Sequence, residues 1–340
     1  MTTNDNKTSV KTDPIKDNFG RIFDYLRISV IENCNLRCVY CMPEKGVKFT
    51  PAANLLTAGE IQRIIKVLSF HGVSKIRFTG GEPLMRPDMV EIVQNTTSNE
   101  HVSSVHITTN GIFLQDKLQP LKKADLHGLN ISLDTLQAER FKKIARRSGL
   151  ETVIGNFHQA LRTGFDSVKL NVVLMRNFND DEIPEFCELT RDNKITVRFI
   201  ELMPFDAHQI WKTGHFFGVQ LMRNRINELY PELLKSEGSS TEEHVYRVPG
   251  YKGKIALIPS YTRSLCGDCS RIRLTADGKI RNCLYSEDEF DILPVIRNGG
   301  TDEELIQFFR DAMWKKLSDG WEAQKKPIVR HRNSMTQIGG

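Results

Sequence analysis

Six of the seven cysteines lie in two triplets whose spacing is typical of metal ligands. The first triplet is Cys34-x₃-Cys38-x₂-Cys41, and the second is Cys266-x₂-Cys269 followed at a distance by Cys283. Three thiolates on a [4Fe–4S] cube leave one iron without a protein ligand, so that this iron can bind a small molecule. We therefore predict two [4Fe–4S] clusters, each with one open iron.

Zinc is the alternative for either triplet. Structural zinc prefers four ligands, and neither triplet has a histidine at ligand spacing nearby. The first spacing is specific and favours the cluster, whereas Cys266-x₂-Cys269 is also what half of a zinc ribbon looks like. The seventh cysteine, Cys187, stands alone on a predicted helix, and we interpret it as a small buried hydrophobic residue.

Alternating strand and helix patterns must position the first triplet. A capping box, Thr57-x-x-Glu60, opens a helix that ends at Gly72, and a second apolar stripe ends at Gly164. Strands that alternate with helices indicate a parallel sheet, and six such units predict an α/β fold with an incomplete (β/α)6 barrel whose site lies at the C-terminal strand ends. The predicted strands are Tyr25–Ile31, Ser74–Thr79, Ser104–Thr109, Gly128–Leu133, Val168–Leu174 and Thr196–Ile200.

The C-terminal part has a different pattern and is predicted to close the barrel with a β-containing extension. Asp277-Gly278 is a strong turn signal, so that Arg271–Tyr285 reads as a hairpin that returns Cys283 toward Cys269. We divide the chain into a disordered leader (1–17), the barrel (18–215), the C-terminal cluster region (216–330) and a tail (331–340). The other predicted elements are helices at Val219–Leu234 and Asp302–Leu317, a linker at 235–243, and β segments at Val245–Val248 and Lys254–Pro259.

Composition limits the class of protein. The chain has 340 residues, 39% of them hydrophobic, and no apolar run long enough to span a bilayer. The N-terminus lacks the apolar core of a signal peptide, so we expect a cytoplasmic protein with reduced cysteines. The net charge of +5 suits a polyanionic small substrate as well as nucleic acid and does not decide between them.

These motifs resemble a known superfamily. The loop Cys34–Cys41 is similar to the cluster loop of radical S-adenosylmethionine (SAM) enzymes, and Gly80-Gly81-Glu82-Pro83 is similar to their SAM-contacting motif. The second triplet, Arg271-Ile272-Arg273 and the terminal Gly339-Gly340 resemble the GTP 3′,8-cyclase family of molybdenum cofactor biosynthesis. The resemblance implies that SAM is bound by Tyr40, Gly80, Gly81, Glu82, Ser132 and Met203.

The same resemblance implies the reaction. The first cluster would cleave SAM to a 5′-deoxyadenosyl radical, which would abstract the ribose 3′ hydrogen of GTP, so that the carbon radical attacks C8 and forms 3′,8-cyclo-7,8-dihydro-GTP. The second cluster would bind the purine. Arg271 and Arg273 share one face of a strand, which suits phosphate or purine recognition. The implied GTP contacts are Arg27, Arg77, Thr108, Lys169, Arg271, Ile272 and Arg273, and the implied catalytic residues are Arg27, Arg271, Arg273, Gly339 and Gly340.

The implied partners are GTP, SAM, an electron donor, a second copy in a homodimer, and a cyclic pyranopterin monophosphate synthase that receives the product. Neither a membrane nor nucleic acid is expected. Two alternatives remain at this point. A peptide-maturing radical SAM enzyme with an auxiliary cluster would normally carry more C-terminal cysteines than this chain has. A non-catalytic zinc or nucleic-acid-binding module would bind no SAM.

Overall fold

The computed structural model describes residues 13–203, 214–237, 244–262, 266–325, 332 and 334–338. Its described strands form one sheet in the order β12-β11-β10-β1-β2-β3-β4-β5-β6-β9-β8-β7, which is not closed because β12 and β7 are its edges. The strands are β1 Tyr25–Ser29, β2 Lys75–Thr79, β3 Ser104–Thr109, β4 Gly128–Ser132, β5 Ser167–Leu174, β6 Ile195–Glu201, β7 Leu234–Ser236, β8 His244–Arg247, β9 Lys254–Ile258, β10 Arg271–Leu274, β11 Lys279–Arg281 and β12 Phe290–Asp291.

Strands β1 to β6 are parallel and lie in sequence order, which confirms the predicted α/β fold. The C-terminal strands extend this sheet at both of its edges, because β10 pairs in parallel with β1 and β9 pairs in parallel with β6. All six predicted strands are present, with ends shifted by no more than two residues. The C-terminal segment therefore places residues directly beside the first strand of the N-terminal half.

Helices cover the sheet and bury its apolar residues. Along β5 the buried residues alternate with partly exposed ones, so that Lys169 and Asn171 lie on the face opposite to Leu170. The predicted capping box at Thr57 and Glu60 is present. The helices are α1 Ala58–Phe70, α2 Met89–Thr97, α3 Leu118–Lys123, α4 Ala138–Ala145, α5 Leu150–Thr163, α6 Ile183–Asp192, α7 Val219–Leu229, α8 Leu293–Arg297, α9 Asp302–Trp314 and α10 Gly320–Lys325.

Two C-terminal predictions are confirmed with changed limits. The hairpin forms around Gly278, whose φ of +74° favours glycine, and it pairs β10 with β11. Helix α7 ends at Leu229, earlier than predicted, because Tyr230 precedes Pro231 and the residue before a proline is disfavoured in a helix. Among the described residues, no helix combines the length and the apolar composition that a bilayer crossing would require.

The predicted leader is too long. Ile15 is fully buried, and the backbone N–H of Phe23 donates to its carbonyl at 3.0 Å. Lys16 and Ile22 form an isolated antiparallel bridge, which closes a short N-terminal turn (residues 15–23). The sequence does not predict that Ile15 is buried, because it is an isolated apolar residue in a mostly polar stretch. Residues 1–12 of the predicted leader lie outside the described residues.

Candidate active site between two cysteine triplets

One cavity of about 370 Å³ is lined by all six cysteines of the two triplets. Because β1 and β10 are parallel neighbours, the loop that follows β1 and the loop that precedes β10 lie at opposite ends of these strands. The cavity lining extends between the two triplets and includes Arg27 of β1 and Arg273 of β10. In the part of the chain that the structure describes, no three Cys, His, Asp or Glu side chains converge closely enough to hold a single metal ion. The donor set of three thiols without histidine fits iron–sulfur ligation.

The first triplet lies in a loop fixed by backbone hydrogen bonds. The N–H groups of Arg37 and Val39 donate to carbonyls at the end of α4, both at 2.9 Å. Burial raises the pKa of the Cys34 and Cys38 thiols. Burial also raises the pKa of Cys41 to about 12, although hydrogen bonds from Ser334, Thr336 and Met335 oppose this shift. The thiols of the first triplet are therefore protonated at neutral pH until metal displaces the protons.

The Gly80-Gly81 pair packs directly against the cluster loop. The N–H of Gly81 donates to the carbonyl of Ile31 at 2.7 Å, and that of Glu82 donates to Asn33 at 2.8 Å. A Cβ on Gly80 would lie 2.3 Å from the Ile31 oxygen, and a Cβ on Gly81 would lie 2.1 Å from the Asn33 oxygen. Both glycines line the cavity. Their lack of a side chain is thus required first by the close approach of the cysteine loop.

Glu82, which the resemblance assigns to SAM, lies outside the cavity lining. Its side chain is fully buried and does not line the cavity. The carboxylate accepts hydrogen bonds from Leu84 N at 3.0 Å, Thr109 Oγ1 at 2.8 Å and Asn110 N at 2.7 Å. Burial raises its pKa to about 7. Glu82 therefore orders the turn after β2, and its assignment to SAM stays a prediction.

The other residues assigned to SAM do line the cavity. Tyr40, Ser132 and Met203 all contribute to its wall. The Tyr40 hydroxyl donates to Asp134 Oδ2 at 2.6 Å, while Asp134 Oδ1 accepts from Val173 N at 2.8 Å. Burial raises the pKa of Asp134 to about 6. Sequence reasoning missed Asp134, although its position two residues after Ser132, just beyond β4, was a usable signal.

The second triplet has a cationic environment. Burial alone would raise the pKa of Cys269, but Arg271 and Lys316 lower it to about 6. Burial raises the pKa of Cys266. Lys316 is 4% exposed, lines the cavity, and donates to the backbone carbonyl of Asn282, the neighbour of Cys283. Sequence reasoning missed Lys316, because it follows α9 and reaches the triplet only through the tertiary fold.

Four arginines form a cluster on neighbouring strands. The register places Arg27 of β1 beside Arg273 of β10 and Arg77 of β2, and Arg271 lies two residues before Arg273. All four line the cavity. Burial, together with Arg27 and Arg271, lowers the pKa of Arg273 to about 9. The buried Nε of Arg77 has no hydrogen-bond partner in the described structure, so this region is suited to an anionic ligand.

The structure does not bring every predicted GTP contact to the cavity. Thr108 lines it, whereas Lys169 does not, and the fully buried side chain of Ile272 lies on the strand face opposite to the arginines. Arg198, which sequence reasoning missed, does line the cavity and donates to Asn171 Oδ1 at 2.8 Å and Asn130 Oδ1 at 2.6 Å. The predicted catalytic Gly339 and Gly340 lie outside the described residues.

Comparison with known proteins first identifies the class. The Radical SAM superfamily model matches residues 28–190, and the Molybdenum Cofactor Synthesis C model matches residues 195–320. The crystal structure of Streptococcus suis SuiB bound to S-adenosylmethionine has a TM-score of 0.59 at 12% sequence identity, over 89% of this chain and 68% of that chain. The superfamily match, which includes the first cysteine loop, identifies a radical SAM protein.

Curated relatives then identify the family. The GTP 3′,8-cyclase of Chlorobaculum tepidum is 42% identical over 98% of this chain and 100% of its own length. The Homo sapiens Molybdenum cofactor biosynthesis protein 1 is 42% identical over 89% of this chain, which covers 48% of that longer relative. The chain belongs to the GTP 3′,8-cyclase family of radical SAM enzymes.

Proposed function

We propose that this chain cyclises GTP to 3′,8-cyclo-7,8-dihydro-GTP in the first step of molybdenum cofactor synthesis. The observation that carries the proposal is one cavity that is lined by both cysteine triplets and by six arginines, among them the cluster of Arg27, Arg77, Arg271 and Arg273. A radical formed at one end of such a cavity can reach a substrate at the other end without meeting bulk water. Proximity of this kind is the protein's main contribution when a cofactor supplies the reactive group.

The first triplet and its neighbours form the SAM end. Cys34, Cys38 and Cys41 would hold a [4Fe–4S] cluster, which supplies the electron that cleaves SAM when bound. Tyr40, Ser132, Met203, Gly80 and Gly81 line this part of the cavity and would orient the cofactor. The Tyr40–Asp134 hydrogen bond fixes the tyrosine, and the buried Glu82 keeps the Gly-Gly turn against the cysteine loop.

The second triplet and the arginine cluster form the GTP end. Cys266, Cys269 and Cys283 would hold the second [4Fe–4S] cluster, which would supply an iron without a protein ligand for the purine. Arg27, Arg77, Arg271 and Arg273 provide the positive charge for the triphosphate and base, and Thr108 contributes a hydroxyl. Bidentate charge-assisted hydrogen bonds suit both ligands. The orphaned Arg77 Nε supports an anion at this end.

The wider assignments belong to the same proposal. We place β1 to β6 in a partial barrel that curves around the cavity, with the C-terminal strands completing the GTP end. A homodimer, an external electron donor and a downstream cyclic pyranopterin monophosphate synthase follow from the family, and the location is cytoplasmic. Gly339 and Gly340 would enter the cavity beside the substrate.

An anaerobic assay tests the function. Reconstituted chain is mixed with SAM, GTP and a strong reductant, and the products are separated and identified by mass spectrometry. We expect 5′-deoxyadenosine and the cyclised nucleotide in equal amounts, because each cyclisation consumes one SAM. ATP in place of GTP is the control and should give no cyclised product. SAM cleavage that leaves GTP unchanged would favour a different radical SAM activity.

A further inference from the structure

The N-terminal turn (residues 15–23) contacts the C-terminal triplet through one buried arginine. Arg21 Nη1 donates to the carbonyl of Cys266 at 3.2 Å and to that of Ser318 at 2.7 Å, and Nη2 donates to Leu317 at 2.6 Å. Its Nε is paired with Asp17 at 2.6 Å, and both side chains are almost fully buried. The Arg21 guanidinium thus connects the N-terminal turn to the second triplet and to the loop after α9.

The C-terminal segment (residues 334–338) makes the converse contact with the N-terminal triplet. Ser334 Oγ donates to the carbonyl of Cys41 at 3.0 Å, and the N–H of Met335 donates to the same oxygen at 3.1 Å. Ser334 and Ile338 are fully buried, and Met335 and Thr336 line the cavity. This segment is therefore packed against the loop that carries the first triplet.

Arg332 anchors that segment to the rest of the fold. Its Nη2 lies 2.8 Å from Asp277 Oδ2 and 3.0 Å from Glu289 Oε2, and its Nη1 lies 3.6 Å from Glu32 Oε1. The three carboxylates come from the β10–β11 turn, the segment before β12 and the loop after β1. The guanidinium is only 10% exposed, so the ion pairs are shielded from solvent and hold the segment in place.

We propose that Arg21, from the N-terminal turn, positions the second triplet, and that Arg332 and Ser334, from the C-terminal part of the chain, position the first triplet. In each case a hydrogen bond to a cysteine carbonyl, from Arg21 or from Ser334, fixes the backbone that carries a cluster ligand. Hydrogen bonds to the groups that carry metal ligands maintain ligand geometry and metal affinity. The inference about Arg21 rests on the proposed second cluster, while the inference about Ser334 needs only the first.

Full-length chains with one triplet replaced by alanine separate the two sites. Each retains one triplet, is reconstituted with iron and sulfide, and is then exposed to an iron chelator while the loss of cluster absorbance is followed. Arg21→Lys should accelerate iron loss about tenfold or more from the second triplet, because lysine cannot span three carbonyls. The same substitution should leave iron loss from the first triplet unchanged.

Ser334→Ala should have the opposite selectivity. Removing one hydroxyl donor should accelerate iron loss from the first triplet about three- to tenfold, as expected for one hydrogen bond, and leave the second triplet unchanged. Arg332→Gln should act on the first triplet more strongly, because it releases the whole segment.

Controls separate positioning from general destabilisation. Arg297→Lys removes a guanidinium that also binds backbone carbonyls and a glutamate, but outside the cavity lining, and Ser69→Ala removes a buried hydroxyl that donates within α1. Both should leave iron loss at either triplet unchanged.

Equal acceleration at both triplets by Arg21→Lys or Ser334→Ala, or no acceleration at either, would overturn the inference. A second triplet that binds no iron before Arg21 is changed would instead contradict the proposed function, and the Ser334 experiment would then decide the inference alone.

Discussion

The two cysteine triplets line the same cavity but lie in opposite electrostatic surroundings. Burial, together with Cys41 and Asp134, raises the pKa of Cys38, whereas Arg271 and Lys316 outweigh burial and lower the pKa of Cys269 to about 6. An anion is therefore favoured at the second triplet by fixed positive charge, while the first triplet offers buried thiols and a polar tyrosine–aspartate pair. This difference supports the proposal that GTP binds at the second triplet and SAM at the first.

The largest expected difference between the triplets comes from removing them. Replacing Cys34, Cys38 and Cys41 with alanine should abolish SAM cleavage, because no cluster remains to supply the electron. Replacing Cys266, Cys269 and Cys283 should abolish cyclisation but retain SAM cleavage, measured as 5′-deoxyadenosine by chromatography. Each variant should lose about half of the iron if each triplet holds four irons. Loss of SAM cleavage in both variants would remove the functional distinction.

Arg271 and Arg273 of β10 test whether the second triplet lies at the GTP end of the cavity. Arg271→Ala together with Arg273→Ala should weaken GTP binding by about tenfold or more per residue, because each charge-assisted hydrogen bond contributes about 1.5–3 kcal/mol. SAM binding should be unchanged, which isothermal titration of both ligands on one sample checks. A lower unfolding temperature with unchanged GTP affinity would make the pair structural.

The thiol chemistry of the metal-free chain gives a smaller difference. A thiol with a pKa near 6 is about nine-tenths thiolate at pH 7, and the thiolate is the species that reacts with iodoacetamide. Because the folded-state pKa of Cys269 is lowered, its labelling should persist at pH 7 and be lost as the pH falls through about 6. Cys38 and Cys41, whose pKa values are raised, should label much more slowly throughout this range.

Peptide mass spectrometry after timed labelling measures these rates. Lys316→Met provides the matched variant, since it keeps the length of the side chain but removes the cation beside Cys269. It should slow the labelling of Cys269 at pH 7 without changing that of Cys41. Equal labelling of Cys269 and Cys41 at pH 7 would contradict the electrostatic contrast between these two thiols.

Local sequence patterns predicted the features that depend on neighbours in the chain. The capping box at Thr57, the turn at Gly278 and the alternation along β5 each involve residues a few positions apart, and all three are present. The cysteine spacing likewise identified the first loop. Such features need no knowledge of the tertiary fold, because the backbone geometry of a helix, strand or turn already determines them.

Residues brought together by the fold were missed or misread. Lys316 reaches the second triplet from the end of α9, and Arg21 reaches it from the N-terminal turn, so neither has a signal in its own neighbourhood. The motif assigned Glu82 to SAM, but it did not predict that the buried carboxylate accepts hydrogen bonds from Thr109 and Asn110. Ile15 was placed in a disordered leader because burial of one isolated apolar residue depends on distant partners.

Spectroscopy of single-triplet chains tests the central claim most directly. Electron paramagnetic resonance spectra of the reduced cluster are recorded for each chain alone, with SAM, and with GTP. The account predicts that SAM changes only the spectrum of the first cluster and that GTP changes only that of the second. A GTP-dependent change at the first cluster with none at the second would contradict the assignment of the two ends of the cavity.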